Sequence, residues 1–405
     1  MERAELRKLV LATGCADERG EFVFLRDPTL ARAINGAQSA TGVAAKAKSE
    51  KEKSSVADGW LCIATGGSSG ALKFARHDER TLGAAVRGFC AHFGLERVNA
   101  VDVLPPFHVS GLMARVRCAA TGGDYLAWEW KRLEAGERPE LAARRDWLIS
   151  LVPTQLQRLL GSEAAVAWLR RFKIIFLGGG PVWPELASDA ARAELRVALT
   201  YGMTETAAMV AALRPEEFLG GARSVGAAMP QARVTLDAEG VVSIAGESVF
   251  RGYFPGWRDE RVFETDDVGR IDERGHLHVL GRRDAVIITG GKKVQPTDVE
   301  AALRASGEFG DVAVIGVPDA EWGEAVVACY CDGGRKPDVK RAVRDLAPHQ
   351  RPKRFVAIAA ADWPRNPQGK INRAELARRH SRADAARDPE EQANDDKSAG
   401  PHPGQ

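Results

Sequence analysis

The sequence predicts an α/β chain: a large N-terminal domain of α/β subdomains that runs into a β-rich subdomain, then a small, mobile α+β C-terminal domain. Two patterns predict it. Short apolar runs alternate with segments of helical period through the first half, as layered α/β proteins require. From residue 234 to residue 279 the spacing changes to short strands separated by Gly turns (DAEG, DERG).

Taken in order, the apolar runs read as strands are residues 61–64, 100–104, 147–152, 174–177 and 197–200. After the β-rich stretch come a helix-like TDVEAALRAS, strands DVAVIGV and AVVACY, a helix-like VKRAVRDLA and a strand RFVAIAA. The run HLHVLGRRD marks the boundary, giving 1–281 as the large domain and 282–378 as the small one. Two segments stand apart. Residues 39–57 alternate Lys, Glu, Ser and small residues and cannot bury much apolar surface. After Leu376 no Leu, Ile, Val or aromatic residue follows, so residues 379–405 are expected to be a disordered tail.

Composition narrows the function classes. Lys plus Arg number 57 against 55 Asp plus Glu, a net charge of +2 that supplies no whole-molecule field toward nucleic acid or an anionic membrane. The six cysteines form no C-x-x-C pair and no zinc-like spacing, which suits a reduced compartment. The N-terminus MERAELRKLV lacks the apolar core of a secretory signal. No run approaches the roughly 18 apolar residues of a membrane span. A cytoplasmic protein without membrane insertion is expected, with homo-oligomerisation left open.

Four constellations carry chemistry. Thr65, Gly66, Gly67, Ser68, Ser69, Gly70 and Lys73 form a Gly/Ser/Thr-rich loop after an apolar strand. Freed backbone N–H groups, hydroxyls and a Lys make a phosphate cradle, although a flexible turn would have the same composition. It is not a Walker A loop, because Ala71 and Leu72 separate Gly70 from Lys73. Thr200, Tyr201, Gly202, Met203, Thr204 and Glu205 set a hydroxyl beside a carboxylate, a pair suited to Mg²⁺; a carboxylate at a helix start reads the same way. Gly178, Gly179, Gly180 and Pro181 precede them. Asp267, Arg282 and Asp284, followed by Gly290 and Gly291, offer a carboxylate and an Arg for a ribose, or a surface Asp/Arg pair. The last is Lys370, in the Pro/Gly loop PRNPQGKINR.

In their order and spacing these four resemble the adenylate-forming superfamily of acyl-CoA synthetases, luciferases and carrier-protein adenylation domains, over residues 61–373. The resemblance implies roles. Thr65 to Gly70 with Lys73 would be the phosphate loop; Gly178 to Pro181 and Thr200 to Gly202 would wall the adenine and acyl pocket. Thr204 and Glu205 would meet phosphate and Mg²⁺, Asp267 and Arg282 the ribose. Asp284 would be the hinge, Lys370 the catalytic lysine, and Gly290 and Gly291 the wall of a pantetheine tunnel. ATP, Mg²⁺ and CoA are the implied cofactors and cosubstrates. The sequence departs from the pattern at Ala71, Leu72 and Asp266. It also has only about 60 residues before the phosphate loop, which implies a reduced N-terminal subdomain.

LPPFHVSGL (residues 104–112), LVPTQLQRLL (151–160) and the YGMTET segment followed by RPEEF resemble, more narrowly, short forms of the o-succinylbenzoate:CoA ligase subfamily of menaquinone and phylloquinone biosynthesis. That substrate has a second carboxylate, for which Ser110, Arg115, Arg117 and Thr154 are candidates. His108 would sit against the carboxylate to be activated. VPTQLQRLL also reads as an amphipathic helix capped by Thr154. Another acyl- or aryl-CoA ligase of the superfamily, or a non-catalytic nucleotide-binding module, are the alternatives.

Overall fold

The computed structural model describes residues 1–28, 58–66, 72–143, 146–332, 334, 336–364 and 371–385. Contacts divide the chain into two units, Met1–Arg283 and Asp284–Gln405.

The first unit holds three sheets. β1 (Ala16–Arg19), β2 (Phe22–Leu25), β3 (Leu61–Gly66) and β4 (Leu72–His77) lie side by side in that order. β2 and β3 are parallel, and the other pairs are antiparallel. The run at residues 61–64 therefore does not join the parallel sheet. Both of its hydrogen-bonding edges are taken in the first sheet, one by β2 and the other by its chain neighbour β4.

The second sheet contains β5 (Asn99–Asp102), β6 (Tyr125–Ala127), β7 (Trp147–Leu151), β8 (Ile174–Leu177), β9 (Val197–Met203), β10 (Ala208–Ala212) and β11 (Ala227–Ala228). Their spatial order is β11-β10-β9-β8-β7-β5-β6, and β9 through β6 are parallel. These strands read as continuous apolar runs because both faces are covered. Ile149, Ile175, Leu177, Val197 and Leu199 pack on one face against Leu156, Trp168, Leu186 and Ala190 of the helices that follow β7 and β8. Leu148, Ile174, Phe176 and Ala198 point the other way, toward Phe89 of helix Glu79–Phe93 and Ala114 and Cys118 of helix Val109–Thr121. Each buried Leu or Ile in these layers contributes about 1.5–3 kcal/mol.

Local signals set the helix ends. Asp78 accepts from the Arg80 and Thr81 N–H groups to start helix Glu79–Phe93, and Gly94 ends it in the left-handed region. Helix Pro153–Leu160 is capped differently from expectation. Pro153 occupies the first helical position, and Gln155 Oε1 accepts from the Val152 N–H at 2.9 Å. Thr154 thus lies within the first turn rather than at the cap.

β12 (Ala232–Leu236), β13 (Val241–Gly246), β14 (Val262–Ile271) and β15 (Leu277–Arg282) form an antiparallel meander, the β-rich stretch that the turn spacing predicts.

In the second unit, β16 (Ile287–Thr289) and β17 (Lys292–Val294) make a hairpin, and β18 (Val312–Asp319) and β20 (Arg354–Ile358) flank β19 (Gly323–Cys331). Val299 and Leu303 of helix Pro296–Ala305 cover one face, and Leu376 of helix Arg373–Ala385 covers the other. The segment VKRAVRDLA is helical only over Val339–Ala342. It buries little beyond Ala342 and Leu346, too little to support a longer helix. Helix Arg373–Ala385 continues through the first seven residues of the expected tail, rich in helix-favouring Ala and Arg, with Arg379 donating to Glu375 at 2.8 Å.

Candidate active site

In an open parallel sheet, ligands meet the carboxyl ends of the strands, at the point where the strand order reverses. Here β5 connects outward to β6, and the chain then returns to β7 on the other side of β5. The segments after β5, β7 and β8 carry His108 at a helix cap, Thr154 in the first turn of helix Pro153–Leu160 and Gly178 in a loop, and the end of β9 carries Thr200, Tyr201 and Gly202. Topology alone therefore gathers these sequence-level candidates at one edge. Gly178 N donates to Leu151 O, and the Thr200 hydroxyl donates to Leu177 O at 3.3 Å. At Gly202 a side chain is excluded, since a Cβ would lie 2.0 Å from the Ala208 carbonyl oxygen across the β9–β10 turn.

That turn is under local strain. Thr204–Thr206 form a single 3₁₀ turn, and Ala207 and Ala208 follow with φ of 53° and 78°, a region costly for a residue with a Cβ. Thr206 Oγ1 donates to Ala208 O at 2.7 Å and holds the corner shut. Glu205 is buried, and Tyr253 donates to its Oε1 at 2.7 Å. Burial, and then the Glu205 charge, raise the Tyr253 pKa, so the phenol keeps its proton and donates.

Strand β4 brings Lys73, the last of the phosphate-loop candidates, to the same corner. Thr65 and Lys73 are register partners across the β3–β4 hairpin. Gly67, Ser68, Ser69 and Gly70 lie outside the described residues. The other edge of β4 pairs with residues 251–254 through Arg251 N to Arg76 O and Phe254 N to Phe74 O. This seats Lys73 Nζ 5.2 Å from the centre of the Tyr253 ring.

Below Lys73, His77 Nε2 stands 2.7 Å from Thr204 O and its Nδ1 3.1 Å from Thr81 Oγ1. Burial lowers the His77 pKa to about 4, so the ring is neutral at pH 7. The carbonyl partner places the remaining proton on Nε2. Asp78 and Arg251 form a buried ion pair at 2.7 Å. Burial alone would raise the Asp78 pKa, but Arg251 and the Thr81 N–H bring it below the usual carboxylate range.

A second centre lies where β9 meets the meander. Tyr201 donates to Asp267 Oδ2 at 2.7 Å, and Arg282 Nη1 donates to Oδ1 at 3.5 Å. Asp267 and Arg282 are register partners on β14 and β15, which is why the sequence separates them by a hairpin.

The acyl-side candidates separate in space. His108 occupies the cap position of helix Val109–Thr121, with Phe107 packed on it at 4.6 Å. Ser110 and Thr154 are half-buried. Arg115 lies over the Tyr125 ring at 4.7 Å, and Tyr125 donates to Asp102 Oδ2 at 2.8 Å. Arg117 is 4% exposed and stacks on Phe89 at 4.0 Å. Its Nε and Nη2 have no hydrogen-bond partner.

Asp102 yields a stability prediction. Burial raises its pKa to about 7, against the opposing pull of the Tyr125 hydroxyl, the Leu104 N–H and the Arg115 charge. An unfolded Asp titrates near 3.9. Between those values the folded state holds a proton that the unfolded state has lost, so stability falls as pH rises from about 4 to about 7. Asp102→Asn is expected to remove this slope, worth roughly a few kcal/mol at about 1.4 kcal/mol per pH unit. Thermal melts of both proteins across that window check it, and parallel curves would contradict the buried, protonated carboxyl.

In the second unit Gly290 and Gly291 form the two-residue turn of the β16–β17 hairpin, with φ of 54° and 74°. A two-residue hairpin with both φ positive is of type I′, which favours glycine whether or not it lines a tunnel. Asp284, the hinge candidate, is the exposed first residue of this unit. Lys370 lies outside the described residues, but the ends of its loop are joined by Asn372 N to Pro364 O at 2.9 Å. Arg373 clamps the buried Glu300 with contacts of 2.7 Å to both carboxylate oxygens.

Sequence reasoning missed Tyr253, His77 and Asp102. The signals were thin: a GY pair between two strands of the β-rich stretch, and a His four residues after Lys73.

The AMP-binding enzyme family matches residues 10–254, and the AMP-binding enzyme C-terminal domain matches residues 298–370. The chain belongs to the AMP-binding enzyme family. Among family members, a 2-succinylbenzoate–CoA ligase from Enterococcus faecalis is 29% identical over 76% of this chain and 67% of its own length. A probable 2-succinylbenzoate–CoA ligase from Mycobacterium tuberculosis is 31% identical over 79% of this chain and 84% of its own. The chain thus spans about two thirds of the Enterococcus protein. The solved structure of a single-residue variant of E. coli MenE with bound OSB-AMS superposes with a TM-score of 0.66 at 27% identity, covering 80% of this chain and 69% of that one. The adenylate-forming fold expected from the motifs is the fold of this family.

Proposed function

We propose that the chain is an ATP-dependent acid–thiol ligase that activates o-succinylbenzoate as its acyl adenylate and transfers the acyl group to CoA, releasing pyrophosphate and AMP. The observation that carries this reading is the Glu205 corner, where Lys73, Tyr253 and the strained Thr204–Thr206 turn meet. The names of the Enterococcus and Mycobacterium relatives support the choice of acid.

The corner fits Mg²⁺. Tyr253 occupies Glu205 Oε1, leaving Oε2 for a cation. Among the described residues no cluster of three His, Cys, Asp or Glu could hold a metal by itself. A cation here would therefore draw its other ligands from nucleotide phosphate and water, as Mg²⁺ does, and would neutralise charge on the α-phosphate. Lys73 and the phosphate loop take the β- and γ-phosphates. Asp267, oriented by Tyr201 and Arg282, accepts from the ribose hydroxyls.

A carboxylate is a poor acyl donor because its leaving group would be oxide. Attack on the α-phosphate makes AMP the leaving group instead, and Lys370 offsets the negative charge that this attack accumulates. The CoA thiol then displaces AMP, with the second unit turning about Asp284. For the second substrate carboxylate, Arg117 is favoured over Arg115. Arg115 is engaged with Tyr125 and Asp102 and leaves one buried nitrogen, Nε, without a hydrogen-bond partner, whereas the buried Arg117 leaves two.

No helix of the described residues is long and apolar enough to cross a membrane. The six cysteines form no disulfide, which favours the reducing cytoplasm. The test is CoA-dependent AMP release with o-succinylbenzoate beside benzoate, 4-coumarate and a medium-chain fatty acid. Selective turnover of o-succinylbenzoate is expected. Preference for another acid would overturn the substrate, and no turnover with any acid would favour a nucleotide-binding module.

A further inference from the structure

We propose that His77 is a positioning residue that ties the phosphate-loop hairpin to the Thr204–Glu205 corner, through the hydrogen bond from its Nε2 to the Thr204 carbonyl. The inference rests on the nucleotide site assigned above. His77 ends strand β4, whose first residues follow the phosphate loop and include Lys73. Its ring is fully buried, and the 2.7 Å bond to Thr204 O reaches a peptide group 127 residues away. Thr204 O is in turn the acceptor for Ala207 N, the first of the two left-handed alanines. The adjacent carbonyl, Glu205 O, accepts from Phe250 N at 2.8 Å, and Phe250 neighbours the Arg251 that pairs with Asp78. The first two carbonyls of the turn are thus pinned from outside it. The Phe250 bond fixes Glu205 against the segment that carries Tyr253, and the His77 bond fixes Thr204 against the strand that carries Lys73.

A hydrophobic residue at position 77 would fill the space but could not orient that peptide. Without the bond, the strained turn has one fewer constraint, and the Thr204 peptide loses its tie to the strand that carries Lys73. A misplacement of about 1 Å costs on the order of 10²-fold in rate.

The test compares His77→Gln with His77→Asn. Both are polar, but only Gln extends an N–H as far as imidazole Nε2. Acid-dependent ATP/pyrophosphate exchange, acyl transfer from supplied o-succinylbenzoyl adenylate to CoA, and calorimetric binding of ATP with Mg²⁺ are measured on each full-length protein. The Asn variant is expected to lose about 10–10²-fold in kcat for exchange, with a smaller change in KM for ATP, while transfer stays within about threefold. The Gln variant should stay near wild type in all three. Equal exchange in the two variants, or equal loss of exchange and transfer in the Asn variant, would overturn the positioning role. If wild type exchanges with no acid, the functional reading has failed and the calorimetry decides. Weaker binding of ATP with Mg²⁺ by Asn alone sustains the role of His77, and equal binding by both variants overturns it.

Discussion

Lys370→Ala is expected to lower acid-dependent ATP/pyrophosphate exchange by about 10²–10³-fold, the usual cost of removing a preorganised donor from a developing anion. The same variant should still convert supplied acyl adenylate to thioester. The asymmetry follows from the charges. Only the first step drives an anionic carboxylate onto an anionic phosphate, so only that step needs a cation at the α-phosphate. Lys370 itself lies outside the described residues, but the residues on either side of its segment are anchored. Its loop is closed by Asn372 and Pro364, and Arg373 is clamped to the buried Glu300. Stopped-flow measurement of the two half-reactions separates the outcomes. Equal loss of both would remove Lys370 from the adenylation step.

Arg117→Met should alter specificity without harming the fold. A charge-assisted hydrogen bond contributes about 1.5–3 kcal/mol, so kcat/KM for o-succinylbenzoate should fall by roughly 10–10²-fold while any turnover of benzoate, which has no second carboxylate, is unchanged. Stability should hold or rise. Burial lowers the Arg117 pKa to about 10, a sign that the unliganded protein pays to keep this charge among Phe89 and its neighbours. Replacing a buried charge that leaves two nitrogens without hydrogen-bond partners with an apolar side chain of similar length relieves that cost. A lower melting temperature with equal losses for both acids would make Arg117 a packing residue and reopen the choice among Ser110, Arg115 and Thr154.

The parallel sheet was legible in advance because its strands are buried on both faces, so runs such as IIFL at residues 174–177 leave no polar alternation to misread. The meander was equally legible from its Gly turns. Harder to read were the ends of helices. VPTQLQRLL has two competing start signals, Thr154 and Pro153, and the Gln155 contact to Val152 N–H settles it in favour of the proline. The helix at Val339–Ala342 is short because burial, not local propensity, sustains helices of that length, and burial is a property of neighbours.

The sequence by itself determined the family and most element types, because apolar period and Gly turns are local patterns, and its resemblance to that family put forward Lys73, Thr204, Glu205, Asp267 and Arg282 as site candidates. Only the tertiary structure decided which groups serve them. Tyr253 reaches Glu205 across 48 residues, Tyr201 reaches Asp267 across 66, and His77 reaches Thr204 across 127. It also decided that Arg115 meets Tyr125 and leaves one nitrogen without a hydrogen-bond partner, while Arg117 leaves two. A hydrogen bond acts over about 3 Å of space and is indifferent to distance along the chain. Sequence patterns report local period and composition, so such pairings appear only when sheet order and register bring the strands together.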